Sequence, residues 1–337
     1  PLVLGTFDVE RFVFHRANFQ SKLVPFMTSC NTNSLVVGKP RFNDFSLANT
    51  AKRDGEESAW REAFQRFGTK APEQVSGDFS VAFRLPDGGA FLAIDRFAMR
   101  SLCYRQVDNQ LLFAERADDL VDASTEIDPQ AIFDYFYSHA IPSPRTIFKG
   151  IYRVPPAHFV LYQNNRLTVE PYWIASFEEV SPHSFDQLRD EFRALLQQAT
   201  ARQLDGGKAG CFLSGGTDSS TVAGMIGLAN GTPAATYSIG FEAEGYDEME
   251  FARIASKRFN TEHHEYYVTP ADLVRSIPMV AASYDQPFGN SSALPAYYCA
   301  KMAKDDGVAR ILAGDGGDEL FGGNSRYAKQ RVFDWYQ

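Results

Sequence analysis

Residues 210–220 read GCFLSGGTDSS, an apolar strand that runs through two glycines into the start of a helix. Gly215 and Gly216 permit positive φ and let a ligand approach the backbone closely. Consecutive backbone N–H groups at a helix N-terminus bind anions. Three serines add hydroxyl donors: Ser214, Ser219 and Ser220. Residues 214–220, the serine loop, therefore predict a phosphate site, with a plain capped turn as the alternative.

The serine loop has no basic side chain with which to neutralise the negative charge of a polyphosphate. It contains no lysine, unlike the GxxxxGK[ST] phosphate loop. Asp218 is predicted to bring in positive charge instead, by holding Mg²⁺ through its carboxylate. The sequence thus predicts a metal-dependent phosphate site.

A second loop follows another apolar strand. Residues 313–323, the acidic loop, read AGDGGDELFGG and hold three carboxylates within five positions: Asp315, Asp318 and Glu319. Like charges this close repel one another unless a cation lies between them. Asp318 is the predicted second Mg²⁺ contact, opposite Asp218, and two such carboxylates would orient a leaving pyrophosphate. The alternatives are a solvated acidic turn or a calcium loop, although the spacing is not that of an EF-hand.

Strands and helices alternate on both sides of these loops. The predicted strands are 209–213, 234–239, 263–268 and 309–312. The predicted helices are 185–204, 218–229, 247–258, one that starts at 270, and 293–304. This alternation predicts a parallel sheet with right-handed crossovers, in which ligands bind beyond the C-terminal strand ends. Both loops fall at such ends.

The first half of the chain has a different pattern. Its predicted strands are 75–83, 90–94, 110–114, 158–162 and 166–169, and its predicted helices are 56–67 and 129–137. Short strands joined by tight turns are typical of an antiparallel α+β domain. The predicted organisation is therefore a first domain over 1–172, a linker over 173–184 and a second domain over 185–337.

The overall composition narrows the classes of partner. The chain has 337 residues, enough for two domains, and its net charge of −9 argues against a nucleic-acid partner. No apolar run reaches the roughly 20 residues of a membrane span, so no membrane partner is expected. Four scattered cysteines without a CxxC pair are typical of free thiols, which predicts a cytoplasmic protein. They are Cys30, Cys103, Cys211 and Cys299.

Five motifs in the second half resemble, in order and spacing, the synthetase domain of the asparagine synthetase family. They are SGGTDSS (214–220), TYSIGF (236–241), YDEMEFAR (246–253), DQP (285–287) and AGDGGDELFGG (313–323). The first half is similar to that family's glutaminase-like domain at GDF (77–79), DR (95–96), FAE (113–115) and RVPP (153–156). The resemblance implies an α+β antiparallel sandwich like that of N-terminal-nucleophile hydrolases. It further implies an α/β parallel-sheet domain of the PP-loop ATP pyrophosphatase type, which is adenine nucleotide alpha hydrolase-like.

The resemblance also implies the chemistry of an amide-forming ligase. In that family ATP is split between its α- and β-phosphates. A carboxylate, with aspartate as the first choice here, becomes an acyl-adenylate. Ammonia or another amine then displaces AMP to leave an amide. The implied cofactors are ATP and Mg²⁺, and the implied partners are the carboxylate substrate and the amine donor.

Residue by residue, the resemblance assigns roles to both loops. Adenine and ribose contacts are expected at Leu213, Ile239, Ala313 and Gly314. The pyrophosphate is expected on Ser214, Gly215, Gly216, Asp218, Ser219 and Ser220. Asp218 and Asp318 match the Mg²⁺ ligands and count, with Asp315, as catalytic residues. Asp315 takes the place of a glutamate used in forming the acyl-adenylate, and its shorter side chain retracts the carboxylate by about 1.5 Å.

The N-terminal region departs from the family pattern. Pro1 stands near the position of the family's nucleophilic cysteine, and proline has no side-chain nucleophile. The Asn-Gly-Glu stretch that binds glutamine is missing near residues 38–41, and nothing around Cys30 indicates activation. Asp54 remains as a remnant of the glutamine site. Glutamine hydrolysis is therefore not expected, unless a cysteine-containing start precedes this sequence.

The other end of the sequence leaves several readings open. The chain stops at Gln337, whereas the family's synthetase domain continues through further helices that carry a late catalytic lysine. Residues 326–337 are amphipathic enough to begin such a helix. Two alternative functions remain: a peptide or β-amino-acid cyclase of the lasso-peptide cyclase or β-lactam synthetase type, and a nucleotide-binding regulatory relative. The oligomeric state is also open, a homodimer included.

Overall fold

The computed structural model of the chain describes residues 5–8, 33–177, 183–204, 206–242, 247–308 and 310–323, together with Tyr327 and Lys329. Backbone contacts divide the chain into two compact units. The antiparallel unit comprises Asn18–Glu179 and Tyr284–Asn290. The parallel unit comprises Pro1–Ala17, Val180–Ser283 and Ser291–Gln337. The predictions that concern Pro1, Cys30 and nearly all of 326–337 fall outside the described residues.

The secondary structure follows the chain in this order. The strands are β1 (Gly5–Asp8), β2 (Ser34–Gly38), β3 (Arg41–Phe42), β4 (Val75–Ser76), β5 (Phe79–Arg84), β6 (Ala90–Ile94), β7 (Cys103–Val107), β8 (Gln110–Ala114), β9 (Ile151–Arg153), β10 (His158–Gln163), β11 (Arg166–Pro171), β12 (Ala209–Phe212), β13 (Ala235–Phe241), β14 (Glu262–Val268) and β15 (Arg310–Ala313). The helices are α1 (Phe45–Asp54), α2 (Glu56–Phe67), α3 (Pro129–Ser138), α4 (Phe185–Ala201), α5 (Thr217–Asn230), α6 (Met249–Phe259), α7 (Pro270–Ser283), α8 (Ala293–Asp305) and α9 (Gly317–Phe321). Two 3₁₀ helices cover Gly68–Gln74 and Ala117–Leu120.

The antiparallel unit is built on a five-stranded sheet in the order β11-β10-β6-β5-β2, and every neighbouring pair in it is antiparallel. Helices α1 and α2 cover one face, where the ring centroids of Trp60 and Phe79 lie 4.9 Å apart. On the other face, Leu92 packs in one cluster with Leu111 and Phe113 from the three-stranded sheet β8-β7-β9. The predicted mixture of helices with antiparallel strands is confirmed.

Two local predictions in this unit differ from the structure. The predicted strand over 75–83 is two strands, because Gly77 adopts a φ of +91° and a Cβ there would lie 2.5 Å from the carbonyl oxygen of Lys39. Helix α1 was not predicted, although Leu47, Ala48 and Ala51 form an apolar face that packs in the core. Asp44 fixes its start by accepting a hydrogen bond from the backbone N–H of Leu47 at 3.0 Å.

The parallel unit contains a five-stranded sheet in the order β1-β15-β12-β13-β14. Strands β15, β12, β13 and β14 are parallel neighbours, which confirms the predicted α/β sheet. Leu312 packs in a cluster with residues of α5 and α6, whereas the adjacent Ile311 packs with residues of α8. Because adjacent strand residues point to opposite faces, helices cover both sides of the sheet.

Strand β1 is an addition that the sequence did not predict. It pairs antiparallel with β15, with Gly5 opposite Ala313 and Asp8 opposite Arg310. Four residues of sequence GTFD carry no pattern that indicates a partner some 300 positions away. The sheet therefore has one antiparallel strand at an edge, next to the strand that leads into the acidic loop.

Helix α4 is present but packs less completely than its sequence indicated. Its start is a capping box in which Ser184 and Gln187 exchange hydrogen bonds. Leu196 is buried, as the helical spacing predicts, but Leu188 and Leu195 are 41% and 43% exposed. Leu188 and Leu195 therefore lie largely outside the core, although Leu196 beside them is buried.

Two further expectations concern membranes and thiols. In the part of the chain that the structure describes, no helix combines the length and apolar character needed to cross a membrane. Cys103, Cys211 and Cys299 are free and buried, and Cys30 lies outside the described residues. Burial raises the pKa of the Cys103 thiol to about 11, so this thiol is not a reactive thiolate near neutral pH.

Candidate functional site

The two loops singled out from the sequence leave the parallel sheet side by side. Strand β12 ends in the serine loop, and β15 ends in the acidic loop. These two strands are parallel neighbours, with Gly210 opposite Ile311 and Cys211 opposite Leu312. Both loops therefore emerge at the same, C-terminal edge of the sheet, where ligands bind in folds of this kind.

The serine loop is closed by its own hydroxyl groups. The Oγ atoms of Ser214 and Ser219 lie 3.0 Å apart, and the Ser214 backbone N–H donates to Ser219 Oγ at 3.2 Å. Gly216 donates its N–H to Ser214 Oγ at 3.3 Å and is the N-cap of α5, with no side-chain capping hydrogen bond. Ser220 Oγ is buried and has no hydrogen-bond partner in the structure. The first turn of α5 thus keeps the N–H groups with which an anion can bind.

The two glycines of this loop have different roles. Gly215 has a φ of +84°, and a Cβ there would overlap the backbone of Phe251 and lie 2.5 Å from the backbone nitrogen of Ala252. Gly216 has a φ of −68°, and a Cβ there would meet only Ser214 Oγ, at 3.4 Å. Gly215 is therefore required for packing against α6, whereas Gly216 faces open space beside the helix N-terminus.

The acidic loop packs directly on Asp218. A Cβ on Gly317 would lie 2.6 Å from Asp218 Cγ, and one on Gly314 would lie 2.8 Å from Asp218 Cβ. Partial burial raises the pKa of Asp218, and the nearby charges of Asp318 and Glu319 raise it further. The structure thus brings together the two carboxylates that the sequence named as metal ligands, in an arrangement that disfavours the negative charge of Asp218.

Within the part of the chain that the structure describes, no positively charged side chain pairs with these carboxylates. Among the described residues, no lysine or arginine pairs with Asp218, Asp315 or Asp318, and the two loop aspartates Asp315 and Asp318 are exposed. The same residues contain no group of three or more His, Cys, Asp or Glu side chains that would hold a metal by themselves. Two carboxylates with phosphate oxygens and water are nevertheless the usual Mg²⁺ environment. The donor set therefore fits Mg²⁺ that arrives with a polyphosphate.

A cavity of about 280 Å³ opens next to the serine loop, between the ends of β12 and β13 and the helices α6 and α8. Leu213, Ser214 and Ile239, three predicted ATP contacts, line this cavity. Its other lining residues were missed by the sequence reasoning: Phe212, Tyr237, Ser238, Phe241, Glu248, Met249, Ala252, Ser292, Pro295, Ala296 and Cys299. Their position at strand ends was the available signal. The size and mixed polarity suit a purine nucleoside.

The remaining predicted contacts lie elsewhere in the same unit. Asp218, Gly314 and Asp315 line a second cavity of about 190 Å³, together with Phe192 and Phe321. Ala313 is buried and lines neither of these cavities. The structure therefore places two cavities beside the serine loop, and the smaller one contains Asp218 and Asp315.

Two other features of the molecule lie apart from these loops. A larger cavity, of about 790 Å³, lies between α4, α5 and α6 and contains none of the predicted site residues. Asp54, the predicted remnant of a glutamine site, lies in the antiparallel unit at the exposed end of α1. Its carboxylate pairs with the neighbouring Arg53 at 2.7 Å, which lowers the pKa of Asp54. Neither feature adds to the chemistry of the two loops.

Comparison with known families agrees with this geometry. Residues 191–337 match the asparagine synthase family model, and residues 50–173 match the glutamine amidotransferase domain model. Over these two regions the chain is similar to the asparagine synthetase family. Both loops and Asp54 fall within the matched regions, whereas Pro1 and Cys30 precede them.

Two curated relatives show the extent of the likeness to the asparagine synthetase family. A putative glutamine-hydrolysing asparagine synthetase 2 of Methanocaldococcus jannaschii is 29% identical over 269 residues, which is 77% of this chain and 52% of the relative. The glutamine-hydrolysing asparagine synthetase 1 of Bacillus subtilis is 27% identical over 283 residues, which is 82% of this chain and 44% of the relative. The chain thus spans about half the length of the curated relatives it matches.

A solved structure adds little to this assignment. The NMN synthetase of Francisella tularensis superposes with a TM-score of 0.28 at 19% identity, over 34% of this chain and 50% of that chain. A similarity of that size supports no argument about function. The likeness to the asparagine synthetase family rests on the sequence matches and the two loops.

Proposed function

We propose that this chain is part of an ATP-dependent amide-forming ligase. It would activate a carboxylate as an acyl-adenylate with release of pyrophosphate, and an amine would then displace AMP. The observation that carries the proposal is the meeting of the two loops, in which Gly317 and Gly314 pack the acidic loop directly onto Asp218. Carboxylates that repel one another beside a helix N-terminus are suited to a cation and a polyphosphate.

The adenosine part of ATP would occupy the cavity of about 280 Å³, with Leu213 and Ile239 against the base or ribose. The β- and γ-phosphates would lie on the serine loop. Asp218 and Asp318 would hold Mg²⁺, which supplies charge stabilisation for the leaving pyrophosphate. Asp315 lines the neighbouring cavity with Asp218 and would face the carboxylate that is activated.

The substrates are proposed from the similar proteins and from the ion pair that Asp54 forms with Arg53. Aspartate is the first carboxylate to test, because the relatives are named asparagine synthetases. Ammonia or another amine is the proposed donor, since Asp54 is engaged by Arg53 rather than held ready for a glutamine amine. A cytoplasmic location is proposed with these substrates. We also retain the domain limits 1–172, 173–184 and 185–337 as a proposal.

The finer fold assignments belong to the same proposal. The packing of Leu92 against Leu111 and Phe113, between two antiparallel sheets, supports a sandwich like that of N-terminal-nucleophile hydrolases. The serine loop between β12 and α5 supports an adenine nucleotide alpha hydrolase-like PP-loop domain. A loop that lacks lysine and opens a helix is consistent with ATP split at the α-phosphate.

The test is ATP–pyrophosphate exchange by the protein with Mg²⁺, across a panel of acids headed by aspartate and including β-amino acids and peptides. Exchange with aspartate would support ammonia-dependent asparagine synthesis. Exchange with another acid would support the mechanism and change the substrate. Asp218→Asn, assayed beside the wild type, should lose the exchange. The absence of exchange with every acid, for a protein that folds, would overturn the proposal.

A further inference from the structure

Glu248 brings a carboxylate to the candidate nucleotide cavity of about 280 Å³. The start of α6 forms one wall of this cavity, with Glu248 and Met249, and α8 forms another, with Pro295 and Ala296. All of these residues belong to the parallel unit. Among the described residues that line the cavity, Glu248 is the only acidic or basic one. A polar group of this kind in a mostly apolar cavity usually fixes the orientation and the choice of ligand.

The carboxylate of Glu248 is left for a ligand, whereas that of the preceding Asp247 is used within the protein. Tyr267 donates its hydroxyl to Asp247 Oδ2 at 3.2 Å, and the backbone N–H of Met249 donates to Asp247 Oδ1 at 3.3 Å. Glu248 holds the start of α6 through its backbone carbonyl, which accepts the N–H of Phe251 at 3.0 Å, and its side chain forms no capping hydrogen bond. In the described ranges, no hydrogen bond or ion pair engages the Glu248 carboxylate.

Two other polar groups of the cavity already have partners inside the protein. Ser238 donates its hydroxyl to the backbone carbonyl of Leu213. Tyr237 donates its hydroxyl to Asp306 Oδ2 at 3.0 Å. A ligand that brings hydroxyl donors would therefore find its strongest acceptor in Glu248.

The position of Glu248 favours the sugar of a nucleotide over its base. A Cβ on Gly215 would lie 2.5 Å from the backbone nitrogen of Ala252, so the serine loop packs on the turn of α6 that begins at Glu248. With the phosphates on the serine loop, the group next to them is the ribose, and the base lies farther along the cavity. Pro295 and Ala296 supply an apolar surface for that base on α8.

We propose that Glu248 binds the ribose of the nucleotide by accepting hydrogen bonds from its 2′- and 3′-hydroxyl groups, and so selects ribonucleotides over deoxyribonucleotides. The inference rests on the proposed ATP-binding function. The two oxygens of a carboxylate accept the two donors of a ribose diol, and an acidic side chain has this role in dinucleotide-binding α/β folds. Because Glu248 is exposed, the expected discrimination is about tenfold, the lower end for hydrogen bonds to a charged group.

Helix α6 contains a matched control for Glu248. Glu250 lies in the first turn of the same helix, is exposed, and is not among the residues that line the cavity. Replacing either glutamate by alanine removes one negative charge near the serine loop, and this changes the affinity for all triphosphates alike. The ratio of the affinities for two triphosphates that differ only in the sugar cancels that general effect, so this ratio reports contact with the hydroxyl groups.

The experiment is calorimetric titration with the Mg²⁺ complexes of α,β-methylene-ATP, an analogue that cannot be split at the α-phosphate, and of its 2′,3′-dideoxy form. The wild type should bind the ribose form about tenfold more tightly than the dideoxy form. Glu248→Ala should bring this ratio close to one, and Glu248→Gln, which keeps a neutral acceptor, should give an intermediate ratio. Glu250→Ala should keep the ratio within about twofold of the wild type.

The outcomes separate this inference from the proposed function. A folded wild type that binds both analogues equally, or a ratio that is unchanged in Glu248→Ala, would overturn the inference alone. An equal fall of the ratio in Glu250→Ala would also overturn it, since loss of charge on α6 would then explain the effect. A folded wild type that binds neither analogue would overturn the proposed function and, with it, this inference. If Glu248→Ala does not fold, Glu248→Gln decides, and an unchanged ratio in that variant overturns the inference.

Discussion

The acidic side chains discussed in the two units have opposite electrostatic surroundings. In the antiparallel unit, Asp78 and Asp285 are shielded from water, and each is bound by an arginine at 2.7 Å. At the edge of the parallel sheet, the acidic loop packs against Asp218, and the charges of Asp318 and Glu319, which act on it, have the same sign. Paired carboxylates stabilise a fold, whereas carboxylates that repel one another point to a ligand that brings positive charge. The difference separates structural from functional acids without reference to any relative.

The largest expected effect comes from removing the charge of Asp218. Asp218→Asn should lower Mg²⁺-dependent ATP–pyrophosphate exchange by about 100-fold or more, because a metal ligand contributes several kcal/mol to catalysis. It should not lower the unfolding temperature, since it also removes repulsion from Asp318 and Glu319. The exchange rate and the unfolding temperature, measured on the same preparation, test these two expectations. A variant that keeps its exchange rate or unfolds earlier would mean that Asp218 is a structural acid.

The next largest effect is on the stability of the antiparallel unit, and it concerns Asp78, a carboxylate that is paired with an arginine. Arg100→Met should lower the free energy of unfolding of the antiparallel unit by about 3 kcal/mol, because Asp78 is then left shielded and unpaired. Urea denaturation followed by tryptophan fluorescence measures the change, since Trp60 lies in the core of this unit. The double variant Arg100→Met/Asp78→Leu is the control and should recover much of the loss. Equal stability of the wild type and Arg100→Met would contradict the structural role.

The two glycines of the serine loop allow structural and functional roles to be compared within a single motif. Gly216→Val should weaken binding of the ATP analogue about tenfold or more, because its side chain fills the space beside the helix N-terminus. Its effect on stability should stay near 1 kcal/mol, the usual range for an N-cap change. Gly215→Ala should do the reverse and destabilise the parallel unit, since its Cβ would overlap the backbone of Phe251. Calorimetry and thermal unfolding of both variants test these roles. Weaker binding only in Gly215→Ala, together with lower stability only in Gly216→Val, would contradict them.

The smallest effect is a pH dependence at Asp272, a buried acid with several donors. Hydrogen bonds from the backbone N–H and the hydroxyl of Thr269, at 3.0 and 2.8 Å, hold its pKa down to about 2. A lowered pKa in the folded state stabilises the protein above the unfolded value near 3.9, and this contribution is lost as the pH falls towards 2. Asp272→Asn should therefore be less stable than the wild type at pH 6, with a difference that shrinks below pH 4. A difference that is constant between pH 6 and pH 2.5 in urea titrations would contradict the assignment.

The sequence predicted the local elements well where the signal was local. Helix α2 (Glu56–Phe67) and strands β6 and β8 begin and end at the predicted residues. The placement of both loops at the ends of parallel strands is likewise confirmed. Apolar periodicity, turn residues and glycine position are properties of short windows, and a sequence displays them directly.

Apart from the local helix α1, the main features that were missed depend on residues far apart in the chain. The pairing of β1 with β15 and the contact of Arg153 with Asp285 each join distant segments. No local pattern distinguishes Asp285 as the partner of an arginine from Asp285 as a substrate contact. The interruption at Gly77 likewise depends on Lys39, which belongs to another strand connection. Long-range packing therefore decided the points on which the sequence alone was silent.

The central claim is that Asp218, the serine loop and the acidic loop together bind ATP through a magnesium ion. Its most direct test is the affinity of the wild type and Asp218→Asn for α,β-methylene-ATP, each measured with and without Mg²⁺. The account predicts that Mg²⁺ tightens binding to the wild type at least tenfold and has little effect on Asp218→Asn. Equal dependence on Mg²⁺ in both proteins, or wild-type binding that ignores Mg²⁺, would contradict it.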